Sequence, residues 1–310
     1  MDLRAPGRKD KVLAPIRPGE AAHRQYRQAL DRAVVAMRKS YLWWLSNRYR
    51  DALEANVEAD RLPDLAQDAA PGSKARTLFA ELKRLQKHWD TYFDQLATRL
   101  ATKTVNALYR ENVNAWKGQM RKAGFTVDLQ ITPSQRLILD AKVQENVSLI
   151  RSIPEQFHKD VEGIVLRSFT AGRDLHTMAA KIKERGDVTT RRAALIARDQ
   201  SNKATAQMNA ARQRELGLTY ATWKHSSAGK EPRHDHVRAG REGWIFDTQK
   251  GIDFGDGFGA SLPGTPVNCR CVSRTIIPAI GRTPNGKQFD PEKLEPIPGF
   301  PGAFRAGLIR

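Results

Sequence analysis

Apolar residues recur every three or four positions through the first half of the chain, which is the spacing of one face of an α-helix. The first series, after a break at Pro18 and Gly19, predicts a long helix; it comprises Tyr26, Leu30, Val34, Met37, Tyr41 and Trp44. The second predicts another that stops at Gly124; it comprises Leu78, Leu82, Leu85, Trp89, Phe93, Leu96, Val105, Leu108, Val113, Trp116 and Met120. The loop between them, marked by Pro63 and residues 69–73, makes the pair a helical hairpin.

Helix breakers divide the next stretch into shorter predicted elements. Residues 125–129 alternate between apolar and polar side chains, which favours a short strand. Thr132 is placed to cap a helix whose first residue is Pro133, and Pro154 should end that helix. The further helices that we expect span residues 154–172, 175–183 and 191–216. The glycines that close them are Gly172, Gly186 and Gly217.

The C-terminal third combines a helix with short strands and long loops. Residues 218–224 alternate as a half-buried strand, and residues 269–277 alternate again, with Cys269 and Cys271 on one face. The glycine- and aspartate-rich stretch 241–264 favours loops. The predicted fold class is therefore mainly α with a small α+β C-terminal domain. The predicted segments are an extended arm (1–20), the helical hairpin region (21–128), a helical connector (129–188), the α+β domain (189–280) and a proline- and glycine-rich tail (281–310).

The net charge of +18 is the strongest signal in the composition. It favours a polyanionic partner, with binding to DNA or RNA that weakens steeply as salt rises. The basic residues are spread along the chain and do not form a reading helix, which favours contact with the nucleic-acid backbone without sequence preference. The arginines that we expect to take part are Arg191, Arg192, Arg212, Arg214, Arg238 and Arg241.

Other features of composition exclude several classes of protein. The chain of 310 residues is long enough for two domains. No run approaches the roughly 20 apolar residues of a membrane-spanning helix, and residues 1–11 lack the apolar core of a signal peptide. With only two cysteines, a secreted disulfide scaffold is not expected, and the sequence indicates maturation in a reducing cytoplasm.

Two short segments contain the residues that are the best candidates for metal binding. A His-x-His pair, His234 and His236, precedes a Cys-x-Cys pair, Cys269 and Cys271, and four such side chains can hold a structural zinc ion. His225 is an alternative to His234 as the fourth ligand. Alternate residues on a strand lie about 6.5–7 Å apart, so two thiolates on one ion would require a turn or bulge at the first cysteine. Without zinc, the cysteines are small buried residues and His236 bonds to a loop backbone. A disulfide is a third possibility, which a reducing compartment disfavours.

A catalytic interpretation uses the same region. His234, Asp235 and His236, together with Asp253 or Asp256, would form the centre of a metal-dependent nuclease or toxin. Cys269 with His236 would form a nucleophilic pair. Neither set is surrounded by a recognisable supporting motif, so we assign no catalytic residues and expect no enzymatic activity.

The order of several motifs resembles one known family, the phage Mu F-like minor head proteins, also called phage head morphogenesis proteins. The resemblance begins with residues 194–200 and Asn209 on a predicted helix, followed by the strand at Trp223. It continues through Arg233-x-x-His236 and ends on the Asn-Cys-Arg-Cys sequence at 268–271. The likeness covers most of residues 20–280. Two departures are the additional His234 and a glycine-rich insert at 251–259.

This resemblance implies a structural virion protein of a tailed phage that is present in few copies inside the head. The implied partners are the portal protein and packaged double-stranded DNA, with the major capsid or scaffolding protein as further candidates. The implied role is to assist head assembly or the delivery of DNA. The implied location is the capsid interior, and the host cytoplasm during assembly. The basic charge favours the same partner independently, because packaged DNA is a polyanion.

Overall fold

The computed structural model describes residues 12–49, 73–170, 175–227, 231–277 and 289–306. Five α-helices run through this part of the chain: α1 Glu20–Trp44, α2 Ser73–Lys122, α3 Pro133–Thr170, α4 Leu175–Glu215 and α5 His234–Glu242. A π-helical turn, Leu45–Tyr49, continues α1. The strands are β1 Tyr220–Lys224, β2 Ile245–Asp247, β3 Ile252–Asp253, β4 Ala260–Ser261, β5 Val272–Thr275, β6 Leu294–Pro296 and β7 Ala303–Ala306. The predicted fold class, mainly α with a small α+β C-terminal domain, is confirmed.

The apolar stripes of the two long N-terminal helices are buried as predicted. All six members of the first series are buried in α1. In the second series Leu85 and Val113 are half-buried, and the side chain of Leu78 lies outside the described residues. Helix α2 ends two residues before Gly124, which has a φ of +84° and donates its N–H to the Arg121 carbonyl. The loop predicted between the helices falls within residues 50–72, also outside the described part.

The prediction that Pro154 ends a helix is wrong, because Pro154 lies inside the continuous helix α3. A proline removes only one backbone hydrogen bond and bends the helix. Ile150, Ile153 and Phe157 are fully buried on both sides of it. The burial of these residues stabilises the helix across the proline more than the lost bond destabilises it.

Gly186 was also predicted to end a helix, and it lies inside α4. A Cβ at this position would lie 2.1 Å from Cδ of Arg38, so the glycine allows α1 and α4 to approach closely. The hydroxyls of Thr189 and Thr190 donate to the carbonyls four residues earlier in the same helix and do not cap a new one. Gly186, which the sequence analysis interpreted as a helix end, therefore marks a position where two helices pack closely.

Residues 125–129 form no strand, contrary to the prediction. Phe125 and Leu129 are buried against Trp116 and Leu13 in one hydrophobic cluster, and the alternation reflects an extended segment packed on one side. The predicted cap at the start of α3 is present, since the Gln135 N–H donates to Oγ1 of Thr132 at 3.3 Å.

One antiparallel sheet of five strands, in the order β5-β1-β2-β7-β6, organises the C-terminal part, and β3 pairs with β4 separately. Residues 289–306 were predicted to be part of a tail, but they supply β6 and β7, and β7 pairs with β2. The predicted strand 269–277 is shorter, because β5 begins only at Val272. In the predicted arm, Val12 pairs with Ile276 and the Leu13 N–H donates to the Thr275 carbonyl; residues 1–11 lie outside the described part.

The chain divides into two compact units that cut across the predicted segments. Unit 1 comprises residues 1–24, 103–143 and 198–310, and contains the sheet; unit 2 comprises residues 25–102 and 144–197, and is helical. Helices α1 to α4 each contribute residues to both units, which is why boundaries drawn at loops do not coincide with this division. No helix in the described ranges is both long and apolar enough to cross a bilayer.

Unit 2 contains a buried histidine that we expect to make stability depend on pH. Nδ1 of His158 and the hydroxyl of Tyr41 share a hydrogen bond of 2.7 Å, and Nε2 of His158 lies 3.1 Å from Oδ1 of Asp90. Burial lowers the pKa of His158 below its usual value, although Asp90 opposes this shift. The unfolded chain therefore binds the proton more readily than the folded protein does.

We expect the contribution of neutral His158 to be complete above about pH 6.5, the pKa of an unfolded histidine, and to be lost as the pH falls below it. Urea unfolding of the wild type at a series of pH values should show a falling free energy of unfolding over this range. The variant His158→Gln should show a shallower dependence, since glutamine keeps a polar group without a titrating proton. Equal slopes for both proteins would contradict the prediction.

Candidate metal centre

Three buried side chains with metal-binding atoms meet in unit 1. His236 lies in the first turn of α5, and Cys269 and Cys271 lie in the loop before β5. The Nδ1 atom of His236 is 3.7 Å from Sγ of Cys269 and 3.8 Å from Sγ of Cys271. All three residues are at most 4% exposed, and their ligand atoms lie within 4.8 Å of one another. The structure thus brings together three of the four predicted ligands.

The fourth predicted ligand, His234, is not part of this group. It is the first residue of α5 and is exposed, two positions from His236, so the two imidazoles project from different faces of the helix. His225 lines the same cleft as the cluster, and its Nδ1 accepts a hydrogen bond from the Ser227 N–H at 3.1 Å. Burial lowers the pKa of His225.

The backbone before the cysteines removes the geometric difficulty expected of alternate strand residues. Asn268 adopts a left-handed conformation with φ of +59°, and the Cys269 N–H donates to the Pro266 carbonyl, so the chain turns at the predicted position. Asparagine tolerates this conformation better than most residues. The two cysteines precede β5, and both are free thiols.

Helix α4 holds that turn through three polar residues whose role the sequence did not reveal. Oδ1 of Asp199 accepts from the Asn268 N–H at 2.8 Å, and Arg198 donates to Oδ1 of Asn268 at 2.7 Å. Asn202 donates to the Cys269 carbonyl at 3.1 Å. Asp199 is buried, and its Oδ2 lies 2.8 Å from Nζ of Lys203. The spacing of these three residues places them close together on one helix, and this was the only signal of a shared role. Nothing in the sequence indicates that they contact a loop about 70 residues further on.

Aromatic rings and a glycine fix the position of His236. Its ring lies 4.9 Å from Trp223 and 4.4 Å from Phe254, between centroids. A Cβ at Gly240 would lie 2.5 Å from Cβ and 2.6 Å from the backbone nitrogen of His225, so α5 can approach the end of β1 only with glycine there. The imidazole is therefore held against the two thiols by packing on several sides.

The two thiols influence each other. The hydrogen bond from Cys271, assisted by His236, lowers the pKa of Cys269 to about 4. The neighbouring Cys269 and burial raise the pKa of Cys271. The pKa values of the two cysteines are therefore shifted in opposite directions. Both sulfurs lie beside the imidazole, and this set of donor atoms is suited to binding a soft cation.

A carboxylate lies on the opposite side of the imidazole. Oδ2 of Asp256 is 3.8 Å from Nε2 of His236 and 3.6 Å from Nε of Arg233. Both Nε2 of His236 and Oδ2 of Asp256 are buried without a hydrogen-bond partner. In the sequence analysis Asp256 is a candidate only for a nuclease centre.

Of the residues proposed for a nuclease centre, the structure brings His236 and Asp256 together, with Nε2 and Oδ2 3.8 Å apart. Oδ1 of Asp253 accepts from the Gly255 N–H in a local turn, and His234 is exposed. Among the residues that the structure describes, the cluster of three or more candidate ligands is the one formed by His236, Cys269 and Cys271. It opens on a cleft of about 750 Å³ whose lining includes Glu231, Arg233 and Arg270.

The arginines predicted to contact nucleic acid have different surroundings. Arg212 is buried in a hydrogen-bond network, and Arg192 donates to the carbonyl and hydroxyl of Ser152, so neither presents a free guanidinium to a phosphate. Arg214 bonds to Gln249. Arg238 pairs with Glu242 and lies over the rings of Trp244 and Phe300. Arg191 and Arg241 are exposed.

Residues 159–274 match the model of a family described as Phage Mu protein F like protein. The predicted resemblance is confirmed over this segment, which includes His236, Cys269 and Cys271.

A relative in Haemophilus influenzae (strain Rd), described as an uncharacterized protein, is 27% identical over 270 residues. The alignment covers 86% of this chain and 56% of that protein, so the chain spans little more than half the length of the curated relative it matches. No solved structure matches the chain.

Proposed function

We propose that the protein is a minor capsid protein of a tailed phage, which acts in head morphogenesis from inside the head. The family match over residues 159–274 carries this proposal. The net charge of +18 supports it independently, because a protein held beside packaged DNA gains from a basic surface. The proposed partners are the portal protein and packaged double-stranded DNA, with the major capsid or scaffolding protein as further candidates.

The position in the particle is tested by comparing phage heads with and without this chain. Mass spectrometry of purified virions should detect the protein in few copies per head. Deleting its gene should reduce the yield of infectious particles or their ability to deliver DNA. Absence of the protein from mature, DNA-filled heads would contradict the proposed location.

Contact with DNA should be electrostatic and independent of sequence. We expect gel-shift binding to any duplex of sufficient length, with affinity falling at least about tenfold between 50 and 200 mM salt, because several phosphates are neutralised at once. Arg191→Gln with Arg241→Gln should weaken binding on all sequences equally, since both guanidiniums are exposed. Arg192→Gln is the matched control, because its guanidinium is already bonded to Ser152. Salt-resistant binding to one sequence would contradict this prediction.

We also propose that the protein performs no catalytic turnover. Purified protein incubated with divalent metals should leave plasmid DNA intact over hours. Cleavage that His236→Ala abolishes would establish the alternative, a metal-dependent nuclease or toxin-like enzyme that uses the loops of His236 and Cys269.

A further inference from the structure

We propose that unit 1 binds one zinc ion through Nδ1 of His236 and the Sγ atoms of Cys269 and Cys271, with the fourth coordination position facing the cleft. The site goes beyond the function proposed above and does not depend on it. Two thiolates and an imidazole are the ligands that zinc prefers. Binding displaces the thiol protons.

The two nitrogen–sulfur distances already match zinc coordination. Zinc lies about 2.3 Å from sulfur and 2.0–2.1 Å from nitrogen, so two such ligands at a tetrahedral angle are about 3.6 Å apart. The observed separations from Nδ1 of His236 are 3.7 Å and 3.8 Å. Both separations are therefore within about 0.2 Å of the tetrahedral value, and all three ligand atoms lie within 4.8 Å of one another. The turn at Asn268, held by α4, is what places both sulfurs on one side of the ring.

The orientation of the imidazole supports the same assignment. Nδ1 of His236 faces the sulfurs, and Nε2 faces Oδ2 of Asp256. Nε2 of His236 and Oδ2 of Asp256 are both buried without a hydrogen-bond partner. A zinc-bound histidine usually donates its other N–H to a carboxylate, which fixes the tautomer and strengthens the ligand. A small movement that closes the 3.8 Å separation would satisfy both atoms. Asp256 is thus a positioning residue for His236.

The fourth position is left to a ligand from the cleft. Nδ1 of His225 accepts the Ser227 N–H, so the proton of the neutral ring is on Nε2, which leaves no lone pair for zinc. His234 is exposed outside the cluster. Water or a donor atom brought by a partner therefore completes the tetrahedron, in the manner of sites with three protein ligands.

Elemental analysis and cobalt substitution test the site. Reduced, chelator-treated full-length protein should take up one equivalent of zinc. Cobalt(II) should give the visible and sulfur-to-metal absorption bands of a tetrahedral thiolate site, and X-ray absorption of the zinc form should show two sulfur ligands at about 2.3 Å. These measurements use the wild type, so they do not depend on whether a variant folds. Failure to bind zinc, or coordination without sulfur, overturns the proposal.

Variants then identify the ligands. Cys269→Ser, Cys271→Ser and His236→Ala should each lose stoichiometric zinc, whereas His234→Ala, the matched control two residues from His236, should keep it. Asp256→Asn should retain one zinc but bind it 10–100-fold more weakly. His225→Ala should also retain one zinc; if it loses the metal, the fourth position is not open. If Asp256→Asn bound zinc with unchanged affinity, Asp256 would not be a positioning residue for His236.

Discussion

Replacing Arg212 with methionine should lower the free energy of unfolding by about 3 kcal/mol while leaving DNA binding unchanged. The guanidinium of Arg212 lies at the end of α4 and is almost inaccessible to solvent. It donates to Oε2 of Glu215 and to Oε1 of Gln135, both at 2.9 Å, and to the Gln130 carbonyl at 3.2 Å. Methionine keeps much of the apolar stem but leaves these acceptors without their cation, and removing one member of a buried pair costs more than the pair contributes.

Urea unfolding of Arg212→Met measures this loss, and Arg241→Met is the control. Arg241 is exposed on α5, so its replacement should change the free energy of unfolding by no more than about 0.5 kcal/mol. The double variant Arg212→Met with Glu215→Gln should recover part of the stability, because the unpaired carboxylate is then removed. If Arg212→Met were as stable as Arg241→Met, the network would contribute nothing measurable.

Substituting alanine at Gly240 should destabilise the protein by about 2–3 kcal/mol, although alanine is the better helix former. The added Cβ would lie 2.5 Å from Cβ and 2.6 Å from the backbone nitrogen of His225. Backbone cannot move aside as a flexible side chain does, and the clash should push α5 away from the end of β1. The strain therefore exceeds the roughly 1 kcal/mol gained from helix propensity.

Gly118 offers a matched control in the interior of α2. A Cβ at that position would meet no atom within 4 Å. Gly118→Ala should therefore raise the free energy of unfolding by about 0.5–1 kcal/mol, through helix propensity and the lower entropy of the unfolded chain. Thermal unfolding of the two variants should shift in opposite directions. A shift in the same direction for both would contradict the close approach at Gly240.

The sequence predicted which types of residue form the candidate site, but it identified only some of the residues themselves. The His-x-His and Cys-x-Cys pairs identified His236, Cys269 and Cys271, because histidine and cysteine side chains carry the donor atoms that zinc prefers. His234 was included as a candidate fourth ligand, since sequence spacing alone does not show whether its side chain faces the cluster. The role of Asp256 required the fold, because it approaches the imidazole from a loop 20 residues away.

The local spacing of apolar residues was sufficient to predict the elements that are stabilised by burial of one face. The stripe from Tyr26 to Trp44 is buried along α1, and the cap at Thr132 and the stop at Gly217 lie where the sequence indicated. These signals depend on residues three or four positions apart, which the sequence displays directly.

Long-range contacts decided the rest. Pro154 and Gly186 have the local signature of helix ends, yet packing against partners far along the chain carries α3 and α4 through them. Residues 289–306 have the composition of a tail, yet β7 adds to the edge of β2 by backbone hydrogen bonds that any sequence can make. The turn at Asn268 is held by side chains of α4 about 70 residues earlier. Pairings at such separations leave no period in the sequence, so they become visible only when the chain is folded.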